Sequence, residues 1–369
     1  MKKVSIETIT PVHIGSGNEL QKDIEFLYKQ GELAVIDEQK VLDLIGEENI
    51  HQWVSIIEKR ENLLNYLEKR KPELKIPDTA KRTMKVFCRD LSRVKTLKEQ
   101  LHDGMGYPYI PGSSIKGAIR TAFLNDYLKT NPRKFIENEL RTGKKRIFSD
   151  KMVVKEAFGT NPNKDIMRFL KVGDALFRKE SVIAMKLLSM NYSFKKIWLE
   201  ERLSQLTEAI GVEETTTLNI KIDNDLLNQN INKVGFPNKI PNWFLSYESL
   251  AGSINNFTKK TITSEIDFWE EDKDVEIIRI YRQKLMEMLE ISDKCANNEC
   301  VLRLGHGSGW IFITGAWIKD DNLIEERLYD KIIDETRPNN KRYKDYFFPK
   351  TRRMDEDQDL LGFVKLTIQ

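Results

Sequence analysis

Three short glycine-rich segments, each set where a strand pattern ends, constrain this 369-residue chain more than any other feature. They are His13-Ile14-Gly15-Ser16-Gly17, Pro111-Gly112-Ser113-Ser114-Ile115-Lys116-Gly117 and Gly305-His306-Gly307-Ser308-Gly309. Glycine lets a backbone turn through positive φ and lets another group approach with no Cβ in the way. Successive N–H groups in such a turn form a concave nest for an anion, and a helix N-terminus adds partial positive charge. One such loop is an ordinary turn. Three, each with a histidine or lysine among small residues, point to phosphate.

The segments between the loops set the fold class. Lys3 to Thr10 alternates as a strand, Pro11 ends it, and the His13 segment follows as a turn. Phe26 to Ile36 reads as a hairpin about Gln30-Gly31. From Glu38 to Leu101 apolar residues recur at helical spacing, which reads as a helical insertion. Between Tyr66 and Glu99 there are 11 Lys/Arg against 5 Asp/Glu. Lys81, Arg82, Lys85, Arg89 and Arg93 would form a basic helical stripe, either a solvated face or an RNA or subunit contact.

Ser113 or Ser114 caps a helix with Ile115, Ile119, Ala122 and Phe123 inward and Lys116 and Arg120 one turn apart. Lys144-Lys145-Arg146 after Gly143 reads as a basic loop. Strands are expected at Ser181–Met190, Thr215–Ile222, Val301–Leu304 and Phe363–Ile368. Helices are expected at Trp243–Ile254, Ile266–Leu289 and Leu323–Ile333. The acidic run from Asp267 to Asp274 suits the start of the second of these, and its carboxylates point in too many directions for a metal.

Composition excludes several classes. No apolar run approaches the roughly 20 residues of a membrane span, and the N-terminus lacks an apolar signal region, so a cytoplasmic location is expected. Three cysteines make no disulfide framework. Net charge is only +3, so a nucleic-acid footprint must come from local clusters. The third glycine loop lacks dinucleotide spacing, and in the second Lys116 precedes Gly117 with no Ser or Thr after it, unlike a phosphate-binding P-loop. Cys295, Cys300 and His306 offer a metal site with atypical spacing and no fourth ligand. No cofactor is expected.

At these loops the chain resembles the RAMP superfamily of CRISPR-associated proteins. Thr10 to Gly17 is similar to the family's opening strand and turn, Tyr109 to Arg120 to its best-known signature, and Leu304 to Gly309 to its late glycine-rich loop. The resemblance implies an α+β fold: a ferredoxin-like, RNA-recognition-motif core with large, mainly helical insertions. The core would comprise residues 1–37, 105–190 and 300–369, with a helical insertion at 38–104 and a second insertion carrying a hairpin and helices at 191–299.

Within that superfamily the chain looks most like the backbone-capping fifth subunit of type III-A (Csm) effector complexes. The long insertion before Pro111, the segment Arg168 to Ala175, the run Phe348 to Arg353 and the ending Leu361 to Lys365 carry that likeness. The implied function is non-catalytic binding of crRNA at its 3′ side, in support of crRNA maturation and interference. The implied partners are the repeating backbone and small subunits, with host nucleases for 3′ trimming. The implied RNA contacts are His13, Gly15, Ser16, Gly17, Gly112, Ser113, Ser114, Lys116, Arg120, Lys144, Lys145, Arg146, Arg168, Gly305, His306, Gly307, Ser308, Gly309, Lys350, Arg352 and Arg353. Two enzymatic alternatives stand beside this reading. One is guide processing by His13 or His306 as general acid or base. The other is target cleavage by Asp23, as in a repeating backbone subunit. A purely structural cap is the remaining alternative.

Overall fold

A computed structural model of the chain describes residues 1–143, 146–237, 240–336 and 346–369. It opens with β1 (Lys2–Thr8), β2 (Gly15–Gln21), β3 (Phe26–Lys29) and β4 (Glu32–Ile36), then α1 (Glu38–Ile45), α2 (Ile50–Lys59) and α3 (Leu63–Arg70). β5 (Ala80–Phe87), β6 (Thr96–Gln100) and β7 (Tyr109–Ile110) lead into α4 (Gly112–Thr130). A small hairpin, β8 (Arg141–Thr142) and β9 (Ile147–Phe148), precedes α5 (Lys151–Phe158). Next come β10 (Leu170–Val172), β11 (Ala175–Leu176), β12 (Val182–Ser193), β13 (Ile197–Ile210) and β14 (Thr215–Ile222). The chain then forms α6 (Asn224–Asn230), α7 (Tyr247–Phe268), α8 (Glu276–Asp293), β15 (Glu299–Arg303), α9 (Leu328–Thr336), β16 (Tyr346–Asp355) and β17 (Phe363–Ile368).

These elements form a mixed α+β fold with two main sheets. The central one has the order β10-β14-β1-β17-β15, antiparallel throughout. The strands expected around Val4 and Val301 are both in it, joined through β17. α4 crosses this sheet, touching β10 at one edge and β15 at the other. Its Ile115, Ile119, Ala122 and Phe123 are fully buried in the core that holds Val4 and Val301. α7 is capped by Ser246, whose side chain accepts from Ser249 N–H. One turn-spaced pair on α7 closes the exposed ladder of edge strand β15. Asn255 Oδ1 accepts from Val301 N (3.2 Å), and Thr258 Oγ1 donates to Val301 O (2.7 Å).

The second sheet runs β2-β6-β13-β12-β5-β4-β3, with β16 also on β12. Its long hairpin β12–β13 is half absent from the sequence reading, because β13 mixes charged and apolar residues without clean alternation. β5 and β6 likewise replace the helix expected through residues 80–100. The basic stripe therefore dissolves: on a strand, successive side chains face opposite ways. Arg82 turns inward onto Glu208 (2.8 Å) and Glu99 (2.8 Å), while Lys81 and Lys85 are exposed.

Other boundaries move for similar reasons. α7 runs on to Phe268, so the acidic run lies mostly in the turn before α8, and α9 begins at Leu328. Residues 15–17 belong to strand β2, bulged against β6, rather than to a turn. Within the stretch 191–299, β14 lies in the central sheet beside β1.

Candidate nucleic-acid interface

Loop one joins the two sheets, running from β1 of the central sheet to β2 at the edge of the second. A bridge between Val12 and Ile210 fixes that crossing. His13 follows it and is buried, 3% exposed, with Nδ1 2.6 Å from the Glu208 carbonyl. Burial holds its imidazole down at about 4, helped by His306 and Lys98 and opposed by the Glu208 carbonyl bond. His13 is thus neutral at pH 7 and serves as packing.

Loops one and three are locked together. The His306 N–H donates to the His13 carbonyl (2.9 Å), and the two imidazoles meet edge to face at 5.8 Å. Gly305 has φ +80°, and a Cβ there would lie 2.7 Å from the His13 carbonyl oxygen, so glycine is required by contact as well as by backbone angle. Burial together with Lys98 and Arg353 lowers the His306 pKa. Its Nε2 is buried with no hydrogen-bond partner among the described residues.

Gln100 joins loop one to loop two. Its amide is fully buried, with Oε1 accepting from Ile14 N–H (2.9 Å) and Nε2 donating to the Tyr109 carbonyl (3.2 Å). Its own N–H donates to Glu208 Oε2 (2.9 Å). Glu208, fully buried, is in turn paired to Arg82. Gln100, held by Glu208, thus ties loop one to the start of loop two, while His306 brings loop three onto loop one across some 300 residues of sequence. The outer residues of loop one remain open: Gly15 and Gly17 are exposed, and Ser16 Oγ donates to Glu99 (2.9 Å).

Loop two differs in detail from the expectation. Pro111, not Ser113 or Ser114, occupies the N-cap, and no side chain of its own caps the helix. Instead Asp174 Oδ1 accepts from Gly112 N–H (2.7 Å), so a protein carboxylate already fills part of the anion nest. A Cβ on Gly112 would stand 2.2 Å from the Val172 carbonyl oxygen, which explains that glycine by strand approach rather than phosphate approach.

The exposed face of α4 forms a cleft of about 560 Å³ with α5 and residues 159–168. Lys116, Arg120, Lys151, Lys155 and Arg168 line it against Asp150 and Asp165. Arg120 is committed to the fold, bonded to Asp165 (2.7 Å) and stacked on Phe158 (3.9 Å to the ring centre). Lys116 has no carboxylate within 4.0 Å among the described residues, and burial lowers its pKa. Arg168 is exposed, and Nη1 donates to the Asn163 carbonyl (2.5 Å). Lys151 and Lys155 escaped the sequence reading, although their i, i+4 spacing on α5 was available.

The late basic run is a strand, and its two arginines diverge. Arg352 points inward, 5% exposed, with Nε 2.6 Å and Nη2 3.2 Å from Glu265 carboxylate oxygens. That corrects its assignment as a phosphate ligand: the neighbouring residues of a strand alternate faces. Arg353 points the other way, donates to Ser189 Oγ (2.7 Å) and lies beside Gly307, whose φ is +88°. Ser308 and Gly309 continue that turn, Ser308 N–H reaching back to the Gly305 carbonyl (3.4 Å), and Lys350 lies further along β16. Beneath loop three, the buried Arg303 donates to the Leu361 carbonyl (2.9 Å) and reaches the Gly307 carbonyl (3.4 Å). A lone arginine in an apolar strand was the available sign of that support.

Of the basic loop, Lys144 and Lys145 lie outside the described residues. Arg146 is exposed and donates to Asn138 (2.5 Å), on a hairpin tied to α9 by Arg141–Glu335 (2.8 Å). Asp23 has φ +63° and accepts from the Asn62 side chain (3.2 Å). Cys300 is fully buried in β15, while Cys295 Sγ reaches the Ile291 carbonyl. No helix among the described residues is long and apolar enough to cross a membrane.

Known proteins resemble the chain along most of its length. Along 99% of its length the chain is 27% identical to the CRISPR protein Csm5 of Methanocaldococcus jannaschii, covering 88% of that protein. A Csm5 of Streptococcus thermophilus is 29% identical over 142 residues, 35% of this chain and 39% of that one. In structure, the chain matches a subunit of a Csm–crRNA–target RNA ternary complex of a type III-A system, at TM-score 0.73, 19% identity and full coverage of both. It also matches the crystal structure of Csm5 from T. onnurineus, at TM-score 0.66 and 19% identity, covering 98% and 99%. The family model for the RAMP superfamily fits residues 5–311 and so takes in all three glycine loops: the chain belongs to the RAMP superfamily.

Proposed function

We propose that the chain is a Csm5-type subunit of a type III-A CRISPR effector complex that binds crRNA without cutting it. In this reading it caps the backbone at the guide's 3′ side and touches the repeating and small subunits there. The observation that carries the proposal is the open lysine cleft of α4 and α5, which lies on the helix that loop two begins. The full-length likeness to Csm5 proteins supports it. Guide backbone would lie along Lys116, Lys151, Lys155 and Arg168 and over the exposed turn of Gly15 to Gly17. Sequence would be read by guide–target pairing rather than by the protein.

The surroundings of the two histidines support the non-catalytic reading. A general acid or base works best with a pKa near the operating pH. His13 sits near 4 with its Nδ1 occupied, and the His306 pKa is lowered by burial.

The test is binding of single-stranded oligouridylate across a salt series. Each lost phosphate contact makes the logarithmic salt slope shallower by about 0.7. The triple variant Lys116→Ala, Lys151→Ala and Lys155→Ala is expected to flatten it by about 2. An unchanged slope with intact melting would refute the cleft's role. RNA cleavage by the pure protein, lost on changing His13 or Asp23, would refute the non-catalytic assignment.

A further inference from the structure

A second cavity, of about 730 Å³, is not basic and lies on a different set of elements: β5, the start of β12, α8 and the residues after β16. Met84, Met185 and Leu360 give it an apolar floor. Phe87 and Val212 stand at its lips, 55% and 52% exposed. Seven carboxylates surround it against two lysines, Lys85 and Lys284. Lys85 stands across the strands from Glu32, and Arg178 and Arg89 bond to Glu214 and Asp357, yet carboxylates still outnumber cations seven to four, and Glu180 is exposed with no cation within 4.0 Å among the described residues.

Exposed aromatic and aliphatic lips around an apolar floor mark an interaction surface. A negative rim repels phosphate and selects a positive partner by complementarity. We propose that this groove docks a polypeptide segment of a neighbouring protein subunit, one presenting lysine or arginine around an apolar side chain. The choice of a neighbouring subunit rests on the proposed function; the chemistry of the groove does not. Ile9 to Pro11 line the groove and run directly into His13, so protein and RNA would hold opposite ends of one segment.

The probe is a fluorescein-labelled heptapeptide of alternating lysine and valine, added to the full-length protein. It is expected to bind, more weakly as salt rises, while a glutamate–valine peptide does not. Glu32→Lys with Glu180→Lys, both at the rim, should weaken it at least tenfold and leave oligouridylate affinity unchanged. In the assembled effector complex, benzoylphenylalanine in place of Val212 should cross-link to a protein subunit. Peptide binding indifferent to the charge reversal overturns the proposal, as does a cross-link to RNA, to a second copy of this chain, or to nothing. Peptide binding that persists where the wild-type protein ignores oligouridylate would instead overturn the proposed RNA function and leave the groove standing.

Discussion

Replacing Arg352 separates a structural arginine from a phosphate ligand. Glu265 is fully buried and receives four donors: Arg352 Nε and Nη2, Trp269 Nε1 (2.9 Å) and Tyr281 Oη (3.3 Å). Burial pushes this carboxyl up, but Arg352 and the Trp269 indole outweigh it, and the pKa is lowered. Arg352→Met removes the only full positive charge bonded to it among the described residues. Two neutral donors remain, and breaking one side of a buried ion pair costs about 3–5 kcal/mol. With roughly 2.1 cal/mol/K of unfolding entropy per residue, 369 residues give about 0.8 kcal/mol/K, so Tm should fall by about 4–6 °C. Adding Glu265→Gln neutralises the orphan and should restore more than half of the loss, a coupling measurable by a double-mutant cycle. The assay is thermal melting beside oligouridylate binding across a salt series at a temperature where both variants are folded. The salt slope should not change. An unaltered Tm with a slope shallower by about 0.7 would show Arg352 to hold phosphate and would refute the reasoning.

Three further outcomes follow from the same geometry. His13 binds its proton at about 4 when folded against 6.5 when unfolded. The unfolded chain therefore binds more protons between those values, so His13's contribution, complete above about pH 6.5, should decline by up to ~3 kcal/mol as pH falls to 4. Urea midpoints from pH 4 to 7 should drop less steeply toward acid in His13→Gln. Gly305→Ala should destabilise by more than ~2 kcal/mol, because the Cβ meets the His13 carbonyl at positive φ. Gly117→Ala, in the interior of α4 with nothing within 4 Å of the added Cβ, should stabilise by about 0.5–1 kcal/mol. Denaturant titrations of the pair check both, and equal effects would show that neither glycine is chosen for space.

The strands at Val4, Val301 and Phe363, the buried stripe of α4 and the three glycine loops were all legible, because each is written in local periodicity or in residues with a special backbone range. Lys116 and Arg168 were legible as motif residues, but that they line one cleft was not. What the sequence left undetermined was every feature set by partners far along the chain. Ala80 to Phe87 has the charge spacing of a helix, yet pairing with β4 and β12 makes it a strand and sends Arg82 inward. Arg352 and Arg353 read alike as adjacent cations, and only the pleat of β16 against β12 gives one to Glu265 and the other to the loop surface. Gln100 and Glu208 carry no motif at all. Their importance comes from closing buried polar groups between loops that meet only in the folded chain, since an unpaired amide or carboxylate there would cost more than the loops' own turns could recover. Sequence alone thus determined which segments can bend close to another backbone, and the tertiary structure decided which of them face solvent, where RNA could reach them.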